Sequence, residues 1–271
     1  MIIIRGAGDI STGTIHRLFR AGFPVLALET DHPSAIRRKV AFSEAVYDGT
    51  ATVEGVTAVR IENTGQAEET LAQGKLPLLV DAAGESIRKL KPEVVVDAIL
   101  AKKNLGTTMQ MAPLTIALGP GFEAGQDVHF VIETMRGHDL GRIISSGFAV
   151  ANTGVPGIIG GYSAERVIHS QAAGIFRQRR EIADEVQAGE TIGTVETPEG
   201  EIPVVTVISG ILRGIIRDGY PVSKEFKLAD VDPRLEEKKN CFTISDKARC
   251  IAGSVLELVT AELNNRGKHP C

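Results

Sequence analysis

The segment Gly6-Ala7-Gly8-Asp9-Ile10-Ser11-Thr12-Gly13 stands directly behind the apolar run of residues 1–5. Small residues at such a place free backbone amides, and the first N–H groups of a following helix favour an anion. Gly6 suits a tight turn, and Gly8 lets a phosphate approach the main chain. The third glycine is Gly13, so the spacing is GxGx4G rather than GxGxxG. Asp9 places a carboxylate beside the same amides. Glu29, 21 residues after Gly8, ends a second apolar run and is placed to accept from ribose hydroxyls. Arg37 and Arg38 follow in a basic cluster, where a guanidinium can hold a phosphate through two parallel hydrogen bonds.

A second polar stretch lies mid-chain. Gly119 and Gly121 flank Pro120 after the apolar run 114–118, and the loop 134–142 carries Arg136, His138 and Arg142. Arginine brings forked donors and histidine a titratable one, so this strip suits anionic oxygens. His138 with Asp139 is an acid–base pair only by adjacency, so no catalytic residue is assigned. His129 and Glu133 share one face of an expected strand, but no third ligand has suitable spacing, and no metal site is expected. Cys241, Cys250 and Cys271 form neither a disulfide framework nor a zinc pattern. The thiol of Cys241 is left open for sulfur or selenium chemistry.

The elements that must position these residues alternate. Strands are expected at residues 1–5, 24–29, 52–61, 76–80, 94–99, 114–118 and 128–133, with helical spacing after Gly8 and over 65–73. That alternation predicts an α/β fold with a mostly parallel, Rossmann-like N-terminal sheet. Beyond it the text becomes β-rich. The unit "apolar, x-x-G, x-x-Val/Ile" occurs around Gly189 and again around Gly219, as in the barrel-sandwich hybrid of lipoyl and biotinyl domains. The corresponding hairpin, 197–201, has no lysine, so only the scaffold and not a swinging arm is expected. Residues 245–262 read as an amphipathic closing helix. The expected division is 1–160, 161–234 and a helical tail, 235–271.

Bulk composition narrows the partners. Lys and Arg number 30 against 34 Asp and Glu, a net charge of −4, which leaves no global basic field for nucleic acid. Tryptophan is absent and aromatics make up 4%, which disfavours base-stacking platforms. No run approaches the ~20 apolar residues of a membrane span, and the N-terminus lacks the layout of a signal peptide. A cytoplasmic protein is expected, with homo-oligomer formation open.

Several long motifs converge. Arg5-Gly6-Ala7-Gly8-Asp9, Ile36-Arg37-Arg38, Leu118-Gly119-Pro120-Gly121-Phe122, Val131-Ile132-Glu133-Thr134-Met135-Arg136-Gly137-His138 and Asp230-Val231-Asp232-Pro233-Arg234 resemble the selenium-dependent molybdenum hydroxylase system proteins, the YqeB family. The likeness runs from Met1 to the closing helix, with Val231 where isoleucine is expected. A looser likeness links the chain to xanthine dehydrogenase accessory proteins. The resemblance implies an accessory role in maturing molybdenum hydroxylases, with a client enzyme as partner and a molybdopterin-type cofactor or a nucleotide as small anionic ligand. Such a ligand is expected at the domain boundary. Two alternatives stand beside it: an NAD(P)-dependent oxidoreductase using Gly6, Gly8 and Glu29, and a docking protein without catalysis.

Overall fold

The computed structural model describes residues 1–155 and 157–268, so Cys271 lies outside the described residues. The chain forms two units. The first comprises Met1–Pro33, Ala41–Thr153 and the segment from Ile244 onward; the second comprises Ser34–Val40 and Gly154–Thr243.

The first unit contains β1 (Ile2–Arg5), α1 (Asp9–Arg20), β2 (Val25–Glu29), α2 (Ala45–Asp48), β3 (Thr50–Val53), β4 (Val56–Ile61), α3 (Ala67–Ala72), β5 (Leu76–Val80), α4 (Glu85–Leu90), β6 (Val94–Asp97) and β7 (Leu114–Leu118). Then follow β8 (Glu123–Ala124), β9 (Phe130–Ile132), β10 (Ile143–Ile144) and β11 (Gly147–Phe148). Nine of these strands make one sheet in the order β10-β9-β7-β6-β1-β2-β5-β4-β3. β1 pairs in parallel with β2 and β6, placing Ile3 opposite Leu26 and Val95. Every residue of β1, β6 and β7 is buried, as expected of parallel strands covered on both faces. One face packs Ile3, Leu28, Ile61 and Val95 against Ala67 of α3 and Ile87 of α4. A further helix of this unit, α5 (Asp246–Lys268), lies against α1 with Ala248, Ile251, Ala252, Val255 and Val259 buried.

The second unit holds β12 (Val167–His169), β13 (Gly174–Gln178), β14 (Glu185–Val186), β15 (Thr191–Thr197), β16 (Gly200–Val205), β17 (Gly210–Ile215), β18 (Pro221–Val222) and β19 (Lys227–Asp232). They form two four-stranded antiparallel sheets, β12-β19-β17-β14 and β16-β15-β13-β18. Phe176, Ile192, Leu212, Leu228 and Val231 fill its core.

This architecture corrects the expected fold class. The α/β character agrees with the large sheet, but a Rossmann-like sheet joined to a lipoyl/biotinyl-type barrel-sandwich hybrid does not describe the chain. The sheet is mixed, with β3 and β10 antiparallel to their neighbours at the two edges. The crossover from β6 to β7 carries only the short 3₁₀ turn Met109–Met111, and α5 packs beside β7 and β9 instead. Nor is the β-rich part a self-contained repeat. Ser34–Val40 belongs to it, and Cys241 from the 3₁₀ segment Leu235–Phe242 enters its core. The unit borders therefore fall at 153/154 and 243/244, and the closing helix belongs to the first unit. Residues 52–61 also differ from expectation. They belong to a tight hairpin, β3 and β4, turned at Glu54 and Gly55, both with positive φ.

Candidate functional site

The chain leaves β1 for β2 on one side of the sheet, then crosses from β5 to β6 on the other. Strand order therefore reverses at β1, and open α/β sheets hold ligands outside the strands' carboxyl ends at such a reversal. Here those ends are tightly closed. Arg5 is buried, donates to Thr107 Oγ1 and the Ala82 carbonyl, and stands 3.8 Å from Asp97. Thr107 in turn donates to Asp97 at 2.6 Å. Burial pushes the Asp97 carboxyl up, against the opposing pull of Thr107, the Ile99 amide and Arg5. This cluster clamps β1 to β6.

Most of the expected ligand glycines are used for packing. Gly6 has φ 93°, and a Cβ there would meet the Ala98 carbonyl oxygen at 2.8 Å. At Gly13 it would meet Ala248 Cβ at 2.8 Å, so this glycine is where α1 and α5 touch. At Gly119 it would meet the Thr134 hydroxyl, and at Gly121 the Lys103 backbone, both at 2.6 Å. Each of these four admits a neighbouring segment of the protein where the sequence suggested a phosphate. Gly8 differs. It is the N-cap of α1, contributes no side chain to cap the helix, and has nothing within 4 Å of its would-be Cβ.

Glu29 is also engaged from within. Its carboxylate accepts from the Ala7 amide at 2.7 Å and the Thr30 amide at 2.8 Å, bracing the loop between β1 and α1. Burial raises its pKa and outweighs those two hydrogen bonds. Arg37 and Arg38 lie in the second unit. Arg37 donates to the Asn240 and Thr243 carbonyls, and Arg38 to the Ile215 carbonyl and Gln178. They therefore secure the segment 34–40 to that unit.

The loop after β9 is placed by Glu133, which is buried and accepts from the Met135 and Val150 amides. His129 is bonded to Thr115. Arg142 pairs with Asp139 at 2.7 Å on the surface, and His138 is exposed beside them. Arg136 makes a two-pronged pair with Asp246, the first residue of α5, at 2.8 and 2.9 Å. Next to Asp246 stands Lys247, which sequence reasoning missed. Its ammonium is partly buried and makes no hydrogen bond or close ion pair among the described residues. Burial pushes its pKa down and Arg136 adds to this, while Asp9, Glu133 and Asp246 pull the other way.

The arrangement thus brings together Gly8, Asp9 and Arg136 from the expected set, with Lys247 among them. It leaves Gly6, Gly13, Glu29, Gly119 and Gly121 as packing or bracing residues of the first unit. Lys247 carried one usable signal: a cation one position before the small, core-facing Ala248 of an amphipathic helix. Apart from the adjacent Asp246, its charged neighbours Asp9, Glu133 and Arg136 lie more than a hundred residues away in sequence, and that proximity is tertiary information.

Comparison with known proteins adds one strong likeness. Over 257 residues, 95% of this chain, the sequence is 49% identical to the uncharacterized protein YqeB of Escherichia coli (strain K12). By sequence this chain is a relative of YqeB. It spans about half the length of that curated relative, covering 47% of it. No family model matches the chain. Among solved structures, apo EutE (DoeB), the ectoine utilization protein of Ruegeria pomeroyi, aligns over 85% of both chains with 9% identity and a TM-score of 0.28. The succinylglutamate desuccinylase/aspartoacylase of Rhodobacter sphaeroides aligns over 85% of this chain and 87% of that one, with 13% identity and a TM-score of 0.28. Among the described residues no helix is long and apolar enough to cross a membrane, and no group of three or more His, Cys, Asp or Glu is placed to hold a metal.

Proposed function

We propose that this protein is a cytoplasmic accessory factor in the maturation of selenium-dependent molybdenum hydroxylases, and that its first unit holds a small anionic ligand at the start of α1. The observation that carries the ligand reading is the pairing of an open Gly8 with Lys247, a partly buried cation without a close partner. An uncapped helix start directs amide donors and a partial positive charge outward. A lysine beside it supplies a full charge in a region where burial weakens screening.

The residues fit one phosphate group better than a whole dinucleotide. The Ala7 amide is already taken by Glu29, whose carboxylate faces inward to the loop. With the usual ribose acceptor engaged, the site favours a ligand gripped through one phosphate, a molybdopterin-type cofactor or a simple nucleotide whose ribose is not contacted by Glu29, over ribose-directed recognition of NAD(P). Arg136 borders the same region, and an incoming anion competes with Asp246 for its guanidinium.

Calorimetric titration of the purified chain with molybdopterin cytosine dinucleotide, a nucleoside triphosphate and NAD tests the ligand. Saturable binding of a phosphate ligand, weakened at least tenfold by Lys247→Met and by Gly8→Val, is expected. Absence of binding by all three would remove the ligand reading. The accessory role is tested separately, by activity of the client hydroxylase in cells lacking the protein and in cells carrying Lys247→Met.

A further inference from the structure

The first unit carries a second concavity, away from Gly8. A cleft of about 800 Å³ opens between α4 and the crossover segment 108–113. Ligand pockets commonly enclose about 300–1,000 Å³. The floor is apolar. Ile87 and Ala112 are buried in the core under the sheet, and Met111 packs on the same core. Met109 extends this surface from the crossover. Methionine is unbranched and polarizable, and it adapts to flat or linear apolar guests.

The rim has the opposite chemistry. Arg88 lies in the last turn of α4, and Lys91 caps its end with a left-handed backbone, φ 47°. Both side chains are exposed and border the cleft, and neither has a hydrogen-bond or ion-pair partner among the described residues. Glu93 is the acid on this rim, so the cations outnumber it two to one. A guanidinium and an ammonium on the same rim can both donate to an anionic group held there, without having to break an existing pair.

We infer that this cleft is a binding site for an amphipathic organic anion, with its apolar body on Ile87, Met109 and Met111 and its anionic end on Arg88 and Lys91. The assignment is independent of the anion site at Gly8, because the two share no residue.

The test uses 8-anilinonaphthalene-1-sulfonate, which carries an aromatic body and one sulfonate, titrated into the full chain. Fluorescence should rise to saturation at one equivalent. Methionine-methyl NMR should show Met109 and Met111 shifting while Met135 stays in place. The double variant Arg88→Gln/Lys91→Gln changes two exposed side chains and should weaken binding at least tenfold. The uncharged analogue N-phenyl-1-naphthylamine should bind the unaltered chain at least tenfold more weakly. The inference is overturned if no saturable binding occurs, if the Met109 and Met111 methyls do not move, or if the double variant or the uncharged analogue binds as well.

Discussion

Replacing Gly13 by alanine separates a packing glycine from a ligand glycine. A Cβ at this position would lie 2.8 Å from Ala248 Cβ and 2.9 Å from the Ala248 carbonyl oxygen. Comfortable carbon–carbon contact is about 3.5–4.0 Å. The obstacle includes backbone, which no rotamer change removes, so α1 and α5 must separate. Overpacking of this kind costs about 1–3 kcal/mol, and backbone obstruction argues for the upper half of that range. Alanine inside a helix returns about 1 kcal/mol relative to glycine. The net expectation is a loss of about 1–2 kcal/mol. Gly8→Ala is the control. Its Cβ meets nothing within 4 Å, and its φ of −67° suits any residue, so the loss there should stay under about 1 kcal/mol. Urea unfolding followed by far-UV circular dichroism reads both, because α1 and α5 are the two longest helices and belong to the first unit. If Gly13→Ala unfolds at the midpoint of the unaltered chain while losing anion binding, Gly13 is a ligand residue and the packing argument fails.

Other outcomes follow from the same contacts. Asp97→Ala strands the buried Arg5 guanidinium and should cost about 3–5 kcal/mol in urea unfolding, as loss of one partner of a buried pair does. Burial pushes the Asp81 carboxyl up, but hydrogen bonds from the Ser86 hydroxyl and the Ser86, Glu85 and Gly84 amides outweigh it and lower its pKa. Its contribution to stability is therefore full above the ordinary carboxyl range and is lost as pH falls through the lowered value. Asp81→Asn should accordingly flatten the acid limb of a melting-temperature profile. Lys247 has a lowered pKa, so its ammonium weighs against the folded state at neutral pH, and stability should rise as pH climbs between its folded and unfolded values. Lys247→Met should raise the urea midpoint, abolish that alkaline rise and weaken anion binding together; a lower midpoint would contradict the proposed burial.

The local pieces were legible in the sequence because they depend on neighbours along the chain. Apolar runs and glycine punctuation marked β1, α1, β2, β5, β6 and β7 within a few residues, and helical spacing marked α5. The glycine loop and the strip around Arg136 were also visible as unusual chemistry. Their use was not, because a glycine that admits a phosphate and one that admits another segment of protein look alike in sequence. Gly13 against Ala248, Gly119 against Thr134 and Gly121 against Lys103 are contacts between segments distant in the chain. The same limit hid the assignment of Ser34–Val40 to the second unit and the placing of Lys247 near Asp9 and Arg136. Sequence periodicity determined which residues face a core; only the meeting of α5 with α1 decided which backbone amides stay open and which charge stands beside them.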